Sequence, residues 1–314
     1  MEEFTFCCFT YNQEKYIIEH LESIKYQIEN FGEKYRCKFL LADDASKDNT
    51  VELVRKWLIE NKKYFSNVRI LESKVNNGIV KNFIRALNNI NTNRYKILAG
   101  DDIYYKNNIF QLEGEFCITP VIKFNEEIIH NEDTLRYKMM LKNKEKIIKF
   151  LQYAIKNDNY LDAPGIFMEK KLVDNGLISY LGEYSWIEDL PMWNYLLNNR
   201  RLKSITLFKT PYIMYRVEVG ISSNKNHLKR SEMLEEEIKI CNNIYIDRSK
   251  RLHYMIHKYR RILFKRLCKY YYDKFDADMI AFNNNMAKAE NEATEYLALI
   301  RKNAEEFKAR RGLK

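Results

Sequence analysis

The chain of 314 residues has little glycine and less proline, nine of the first and four of the second. That scarcity excludes a collagen-like repeat, a linker-rich chain and a turn-dense all-β protein. It also has no Gly-x-Gly-x-x-Gly and no Walker A sequence, so no glycine-rich loop cradles a phosphate. Six cysteines, at 7, 8, 37, 117, 241 and 268, form no Cys-x-x-Cys pair, and Cys7 and Cys8 are adjacent in a predicted strand. The pattern fits small apolar residues in a reducing cytosol better than a disulfide framework or a zinc site. No apolar run approaches the roughly 20 residues that span a bilayer. The start Met1-Glu2-Glu3-Phe4 lacks the basic head and apolar core of a signal peptide, so a cytoplasmic location is expected.

What is present is apolar and basic. Hydrophobic residues make up 46% of the chain, with 23 Tyr, 17 Phe and 3 Trp, which excludes disorder by composition. Lys and Arg number 53 against 43 Asp and Glu, a formal net charge of +10. A nucleic acid, an anionic membrane surface and an anionic substrate all remain possible counterparts.

The first hundred residues alternate short apolar runs with helical periodicity. Strands are predicted at 4–10, 37–42, 68–71 and 95–99, and helices at 14–30, from 50 to 58 and at 79–87. Repeated β-α-β units imply an α/β fold with a mostly parallel sheet flanked by helices. Ligands of such sheets bind at the carboxyl ends of the strands. Here those ends read Thr10-Tyr11-Asn12, Asp43-Asp44, Asn76-Asn77-Gly78 and Asp101-Asp102. Further strands are expected at 116–124, 161–168 and 204–216, and helices at 144–156, 169–175 and 188–199. After about 226 the chain reads as helix almost to its end. The expected division is therefore an α/β body over 1–225 and a helical C-terminal region over 226–314.

Two acidic pairs carry chemistry of their own. An Asp-Asp pair at a strand end, such as Asp101-Asp102, suits a hard cation that shares its oxygen ligands with a diphosphate. Asp43-Asp44 followed by Ala45-Ser46-Lys47-Asp48 also reads as an Asx turn leading into a helix.

The four strand-end motifs, in this order and spacing, resemble the inverting GT-A glycosyltransferases of family 2, strongly over 3–110 and more loosely over 160–223. Two departures stand out: Phe9 replaces the family's usual proline, and Ala99 stands where the first Asp of Asp-x-Asp would be. The sequence thus looks like the Ser-Gly-Asp-Asp subgroup. The resemblance implies a nucleotide-binding half over 1–110 and an acceptor and catalytic half over 111–225. It implies that Asp43 or Asp44 accepts a hydrogen bond from the nucleobase, with Thr10 and Asn12 lining that pocket and Tyr11 flanking the base or packing in the core. Asn77 and Gly78 would lie near the nucleotide, Lys81 would meet ribose or diphosphate or stand as a solvated helix-face lysine, and Arg216 would contact diphosphate or form a buried structural pair. Asp101, with Asp102 beside it, would hold Mn²⁺ or Mg²⁺. Trp186-Ile187-Glu188-Asp189-Leu190-Pro191 is similar to the family's Glu-Asp motif, which implies Asp189 as the base and Glu188 as a supporting carboxylate or sugar contact. The same two residues also read as a helix N-terminal acidic pair favoured by the macrodipole.

The activity implied is transfer of a sugar from a nucleoside diphosphate, a UDP-sugar by preference, to a hydroxyl of a glycan or lipid-linked acceptor in surface polysaccharide synthesis. A nucleotidyltransferase is the alternative within enzymes. A catalytically silent scaffold or nucleic-acid binder is the alternative outside them.

Residues 248–274 carry ten Lys and Arg against the single acid Asp273, interleaved with apolar residues at helical spacing. Such a helix reads as a membrane-surface segment, which implies peripheral attachment to the inner face of the cell membrane, with nucleic acid a distant second. Met279, Met286, Ala293, Ile300 and Phe307 then recur at sevens, with Phe282, Ala289 and Tyr296 offset by three. This seam over 277–310 suits a homodimer or packing onto the same chain.

Overall fold

A computed structural model of the chain describes residues 1–130, 135–156, 159–199, 201–219, 227–242, 259, 262–263, 266 and 277–312. Its centre is a four-stranded sheet of β1 (Glu2–Thr10), β2 (Tyr35–Asp43), β3 (Asn67–Glu72) and β4 (Arg94–Ala99), in the order β3-β2-β1-β4. All three pairings are parallel. Helices α1 (Ile17–Phe31), α2 (Thr50–Asn61) and α3 (Ile79–Asn89) are the crossovers. Because side chains alternate along a strand, Phe4, Phe6 and Cys8 pack with α1 and α2, while Cys7 packs with α3 on the opposite face. Both faces are covered, which is why β1 and β2 read as near-continuous apolar runs.

The register fixes where the polar motifs lie. Thr10 pairs with Asp43, Asp43 with Glu72, and Phe9 with Ala99. The strands therefore end together, and the residues that follow them share one edge.

The second half builds two small sheets. The expected strand over 116–124 is two, β6 (Phe116–Ile118) and β7 (Val121–Phe124), in different sheets. Pro120 lies at the break, where a residue without an N–H ends one ladder. The run over 204–216 likewise divides into β10 (Thr206–Leu207), beside β6, and β11 (Ile213–Arg216), between β7 and β5 (Ile103–Tyr104). A short β8 (Ile128–Ile129) borders β7, and β9 (Ile166–Met168) borders β6. Helices α4 (Leu135–Lys142) and α5 (Ile147–Ala154) precede β9. The helix expected at 169–175 is a single 3₁₀ turn over Lys170–Leu172, and α6 (Asn175–Leu181) starts at the Asp174 cap, whose carboxylate accepts from Leu177 N at 2.8 Å. Helix α7 (Asp189–Asn198) follows.

Two C-terminal helices are described, α8 (His227–Asn242) and α9 (Ala277–Arg310). Nearly all of the basic segment 248–274 lies outside the described residues. No helix among the described residues is long and apolar enough to cross a membrane.

The seam of α9 is occupied within the chain, which is the second of the two expected arrangements of 277–310, packing onto the same chain rather than a homodimer. Phe282, Met286, Ala293, Tyr296, Ile300 and Phe307 are all buried in the chain's own cores, and Met279 is buried as well. Tyr296 donates to Tyr104 O at 2.8 Å and meets the Tyr26 ring edge-on, and Tyr137 stacks on Phe282. Heptad spacing thus reports an apolar face, and here α1, β5 and β7 cover it.

Phe307 is fully buried among the residues of the α1–α2 side. Phe307→Ala should cost about 3–5 kcal/mol in urea unfolding. The wild-type midpoint should not depend on protein concentration. A midpoint rising with concentration would place the seam between copies.

Candidate active site

The loops after β1 and β2 are laced together. Asn12 N donates to Ser46 Oγ at 2.9 Å, and Asn12 Oδ1 accepts from Lys47 N at 2.7 Å. Glu14 N donates to Asp48 at 3.0 Å, and Glu14 accepts from Asn49 N at 2.8 Å. Asn12 and Ala45 adopt left-handed backbone, at φ 53° and 64°. Asn tolerates that conformation, while for Ala the surrounding bonds must hold it.

The two aspartates after β2 do different things. Asp43 is buried and accepts from Thr10 Oγ1 at 3.0 Å, from Ser46 N at 2.9 Å and from the Ser46 hydroxyl. It is a structural knot. Asp44 lines the cavity and accepts from Asn77 N at 2.9 Å and Gly78 N at 2.8 Å, so it sets the third loop. Gly78, at φ 91°, supplies the turn that loop needs.

After β4, Gly100 leaves no room for a side chain, since a Cβ would lie 2.6 Å from Gln13 Oε1 and 2.7 Å from Thr10 Cγ2. The close approach brings Gln13 to Asp101, where its amide donates at 3.0 Å. Asp101 and Asp102 are both buried at the cavity wall. Burial pushes both carboxyls up, and Asp101 adds to the rise at Asp102. His20 lies beneath them, its Nδ1 2.8 Å from Asp102 O, with burial pushing its pKa down to about 4.

Arg216 lines the cavity yet is engaged inside the protein, as in the buried structural pair expected as the alternative to a diphosphate contact. It is 2% exposed and sits between the Tyr16 and Phe124 rings at 4.3 and 4.4 Å. Its Nε donates to Asp101 O at 2.9 Å, one terminal nitrogen donates to Glu19 at 2.6 Å and the other to Asn125 O at 3.3 Å. Its backbone N donates to Asp102 Oδ1 at 2.8 Å. Lys81 stands exposed on α3 and is not among the cavity residues. Asn77 contributes its backbone, and its side chain turns to Val75 O and Ser73. Tyr11 is 42% exposed at the rim, which removes the core alternative.

Across the cavity stand Glu188 and Asp189 at the start of α7. Burial, with Asp189 beside it, pushes the Glu188 carboxyl up to about 8. Burial raises Asp189 too, opposed by the Asn159 amide, which donates at 2.7 Å, and by Leu190 N at 2.6 Å. Both carboxyls of this adjacent pair are thus held above the ordinary carboxylate range.

The cavity enclosed by these two acidic groups measures about 820 Å³. Its middle is walled by Lys96 on β4, whose Nζ donates to Ile166 O at 2.7 Å and so ties the first half of the chain to the second. Burial pushes Lys96 down to about 7.

Residues 5–219 match the family described as Glycosyl transferase family 2. The chain belongs to that family. Over 99% of its length it is similar to the crystal structure of S. aureus TarS 1-349 in complex with UDP, at 17% identity and a TM-score of 0.55, covering 92% of that chain. The complex of TarS 1-349 with UDP-GlcNAc matches at 16% identity and a TM-score of 0.53, over 100% of this chain and 93% of that one. The longer TarS crystal structure matches at 19% identity and a TM-score of 0.52, with 81% of this chain covered but only 41% of that one. No curated protein matches by sequence. The fold of this family 2 chain is therefore GT-A, with a helical C-terminal region.

Sequence reasoning did not single out Asn159, Lys96 or the helix α8, which adds Met233 and Glu237 to the cavity wall. Gln13 was legible within the first motif, but not its bond to Asp101.

The proton on Glu188 has a measurable consequence. Its folded pKa lies above the unfolded value, so between about pH 4.5 and pH 8 the folded state holds a proton that the unfolded state has released. That contribution to stability is present at low pH and is lost as pH rises through this window. In urea unfolding at pH 5 and pH 8, Glu188→Gln should show a smaller fall in stability with pH than wild type. An equal fall in the two proteins would contradict the raised pKa.

Proposed function

We propose that this family 2 glycosyltransferase moves a sugar, with inversion, from a UDP-sugar to a hydroxyl of a glycan or lipid-linked acceptor. The observation that carries the reading is one continuous cavity with the strand-end motifs on one wall and Glu188-Asp189 on the other. Family membership supports the reaction type, and the UDP and UDP-GlcNAc complexes of TarS 1-349 support the donor class.

The nucleobase would rest against Thr10, Tyr11 and Asn12, with the imide donating to Asp44. Each carboxylate oxygen has a second lone pair beyond the one given to Asn77 N or Gly78 N. The donor's diphosphate would lie by Asp101 and Asp102. These residues fit a divalent cation shared with that diphosphate. Two buried carboxylates face the cavity, and the buried Gln13 Oε1 has no protein partner beside them. Among the described residues no group of three or more His, Cys, Asp or Glu is placed to hold a metal by itself, so donor oxygens would complete the shell. Mn²⁺ or Mg²⁺ would supply charge to offset the leaving diphosphate. Arg216 acts on the pair by fixing its backbone.

Asp189 is the base. It takes the acceptor hydroxyl proton as that oxygen attacks the anomeric carbon. The bond from this carbon to the diphosphate oxygen breaks on the opposite face, and its electron pair leaves with the nucleoside diphosphate. The Asn159 amide and Leu190 N donate to Asp189 and so favour its charged form, while Glu188 beside it would contact sugar or acceptor.

The acceptor belongs to surface polysaccharide synthesis in this reading, presented at the inner face of the cell membrane. The basic segment 248–274 would hold the enzyme there, and the exposed Tyr259, Ile262 and Leu263 within it support that role.

In thermal shift, UDP with Mn²⁺ should stabilise the protein more than GDP, dTDP or ADP. Failure of every nucleotide to shift it would overturn the reading. Asp189→Asn should lower kcat by about 10²–10⁴-fold while UDP still binds. Full turnover in that variant would refute the base.

A further inference from the structure

We propose that Glu236 of α8 is a positioning residue for the Glu188-Asp189 pair, so that the transfer site is completed by a helix outside the family-matched residues. The proposal rests on the reading of Asp189 as the base. Three consecutive backbone N–H groups point at the Glu236 carboxylate: Ser185 N donates to Oε1 at 2.8 Å, Trp186 N to Oε2 at 3.0 Å and Ile187 N to Oε2 at 3.1 Å. Successive amides gathered on one carboxylate make strong, charge-assisted and directional contacts. This is the segment leading into Glu188. Its far end reaches the donor side, where Ser185 O lies 3.7 Å from the position a Cβ would take on Gly78. Trp186 and Ile187 themselves line the cavity, together with Met233 and Glu237 of α8. Family similarity ends at residue 219, whereas α8 begins at His227.

Helix α8 does not depend on Glu236 for its own attachment. Ile240 is buried in the core with α7, and Lys239 pairs with Glu183 at 3.7 Å and sits over the Tyr184 ring at 4.8 Å. A variant at 236 therefore frees the 185–187 backbone while the helix stays docked. Misplacing a reacting group by about 1 Å can cost about 10²-fold in rate.

The test compares Glu236→Ala and Glu236→Gln with Lys239→Met, which weakens the docking of the same helix without touching the segment. Both Glu236 variants should lose about 10- to 100-fold in kcat, with acceptor KM and UDP affinity changed less than threefold. Lys239→Met should lower Tm and keep its kcat. Unchanged kcat in folded Glu236→Gln, or an equal loss in Lys239→Met, would overturn the proposal. If Glu236→Ala fails to fold, Glu236→Gln carries the test, since it keeps the side-chain shape. A ¹³C-carboxyl titration of Glu188 and Asp189 needs no turnover. Around the pair stand Glu237 of α8 and the Asn159 amide, and both remain in every variant. Freeing the segment should move the pair's titration towards ordinary carboxylate values, and an unmoved titration counts against the proposal. A wild-type protein that transfers no sugar to any acceptor would sink the transferase reading alone and leave this titration to decide the role of Glu236.

Discussion

One buried arginine holds the site together. Two adjacent carboxylates kept out of water beside a cavity are unfavourable unless charge and hydrogen bonds compensate them. Arg216 supplies both, and its own desolvation is offset by two aromatic faces and by Glu19. Through it the Asp101-Asp102 turn, α1, the Asn125 turn and β11 are fixed to one another. Glu19 extends the link to Arg301 of α9, which also donates to Asn125 O and Glu126 O. A point charge would not serve here, because the planar fork stacks and bonds at once.

The two halves meet along a polar seam as well as an apolar one. Lys96 reaches from the central sheet to the carbonyls of Ala163 and of Ile166 at the start of β9, and Thr10, Asp43 and Ser46 close the first edge. The cavity is thus framed by bonds between segments distant in the chain. The strand-end motifs and the Glu188-Asp189 side therefore line one common cavity.

Much of this was legible in the sequence, for identifiable reasons. Each strand of the central sheet ends in a polar motif directly after an apolar run, so sheet and edge could be read together. Glu188-Asp189 carried its own helix-start signal. Other features depend on contacts that no local pattern encodes. Asp43 and Asp44 are neighbours with opposite fates, decided by Ser46 on one side and Gly78 on the other. A lone Arg on a strand resembles a phosphate ligand until Tyr16 and Phe124 close around it. Glu236 stands within Glu235-Glu236-Glu237, where nothing in the residue types marks the middle one. The heptad of α9 declares an apolar face but not whose surface it covers.

The placement of α9 bears on how the protein is made. Phe307 fills the core beside α1 and α2, segments that precede it far upstream in the chain. A nascent chain can form the central sheet, since domains assemble from the N-terminus as they emerge. Its core nevertheless stays open until α9 has been made and has packed. The cavity's support is thereby tied to the arrival of α9: a chain lacking that helix would keep the strands of the central sheet but leave an apolar trough open along α1, β5 and β7.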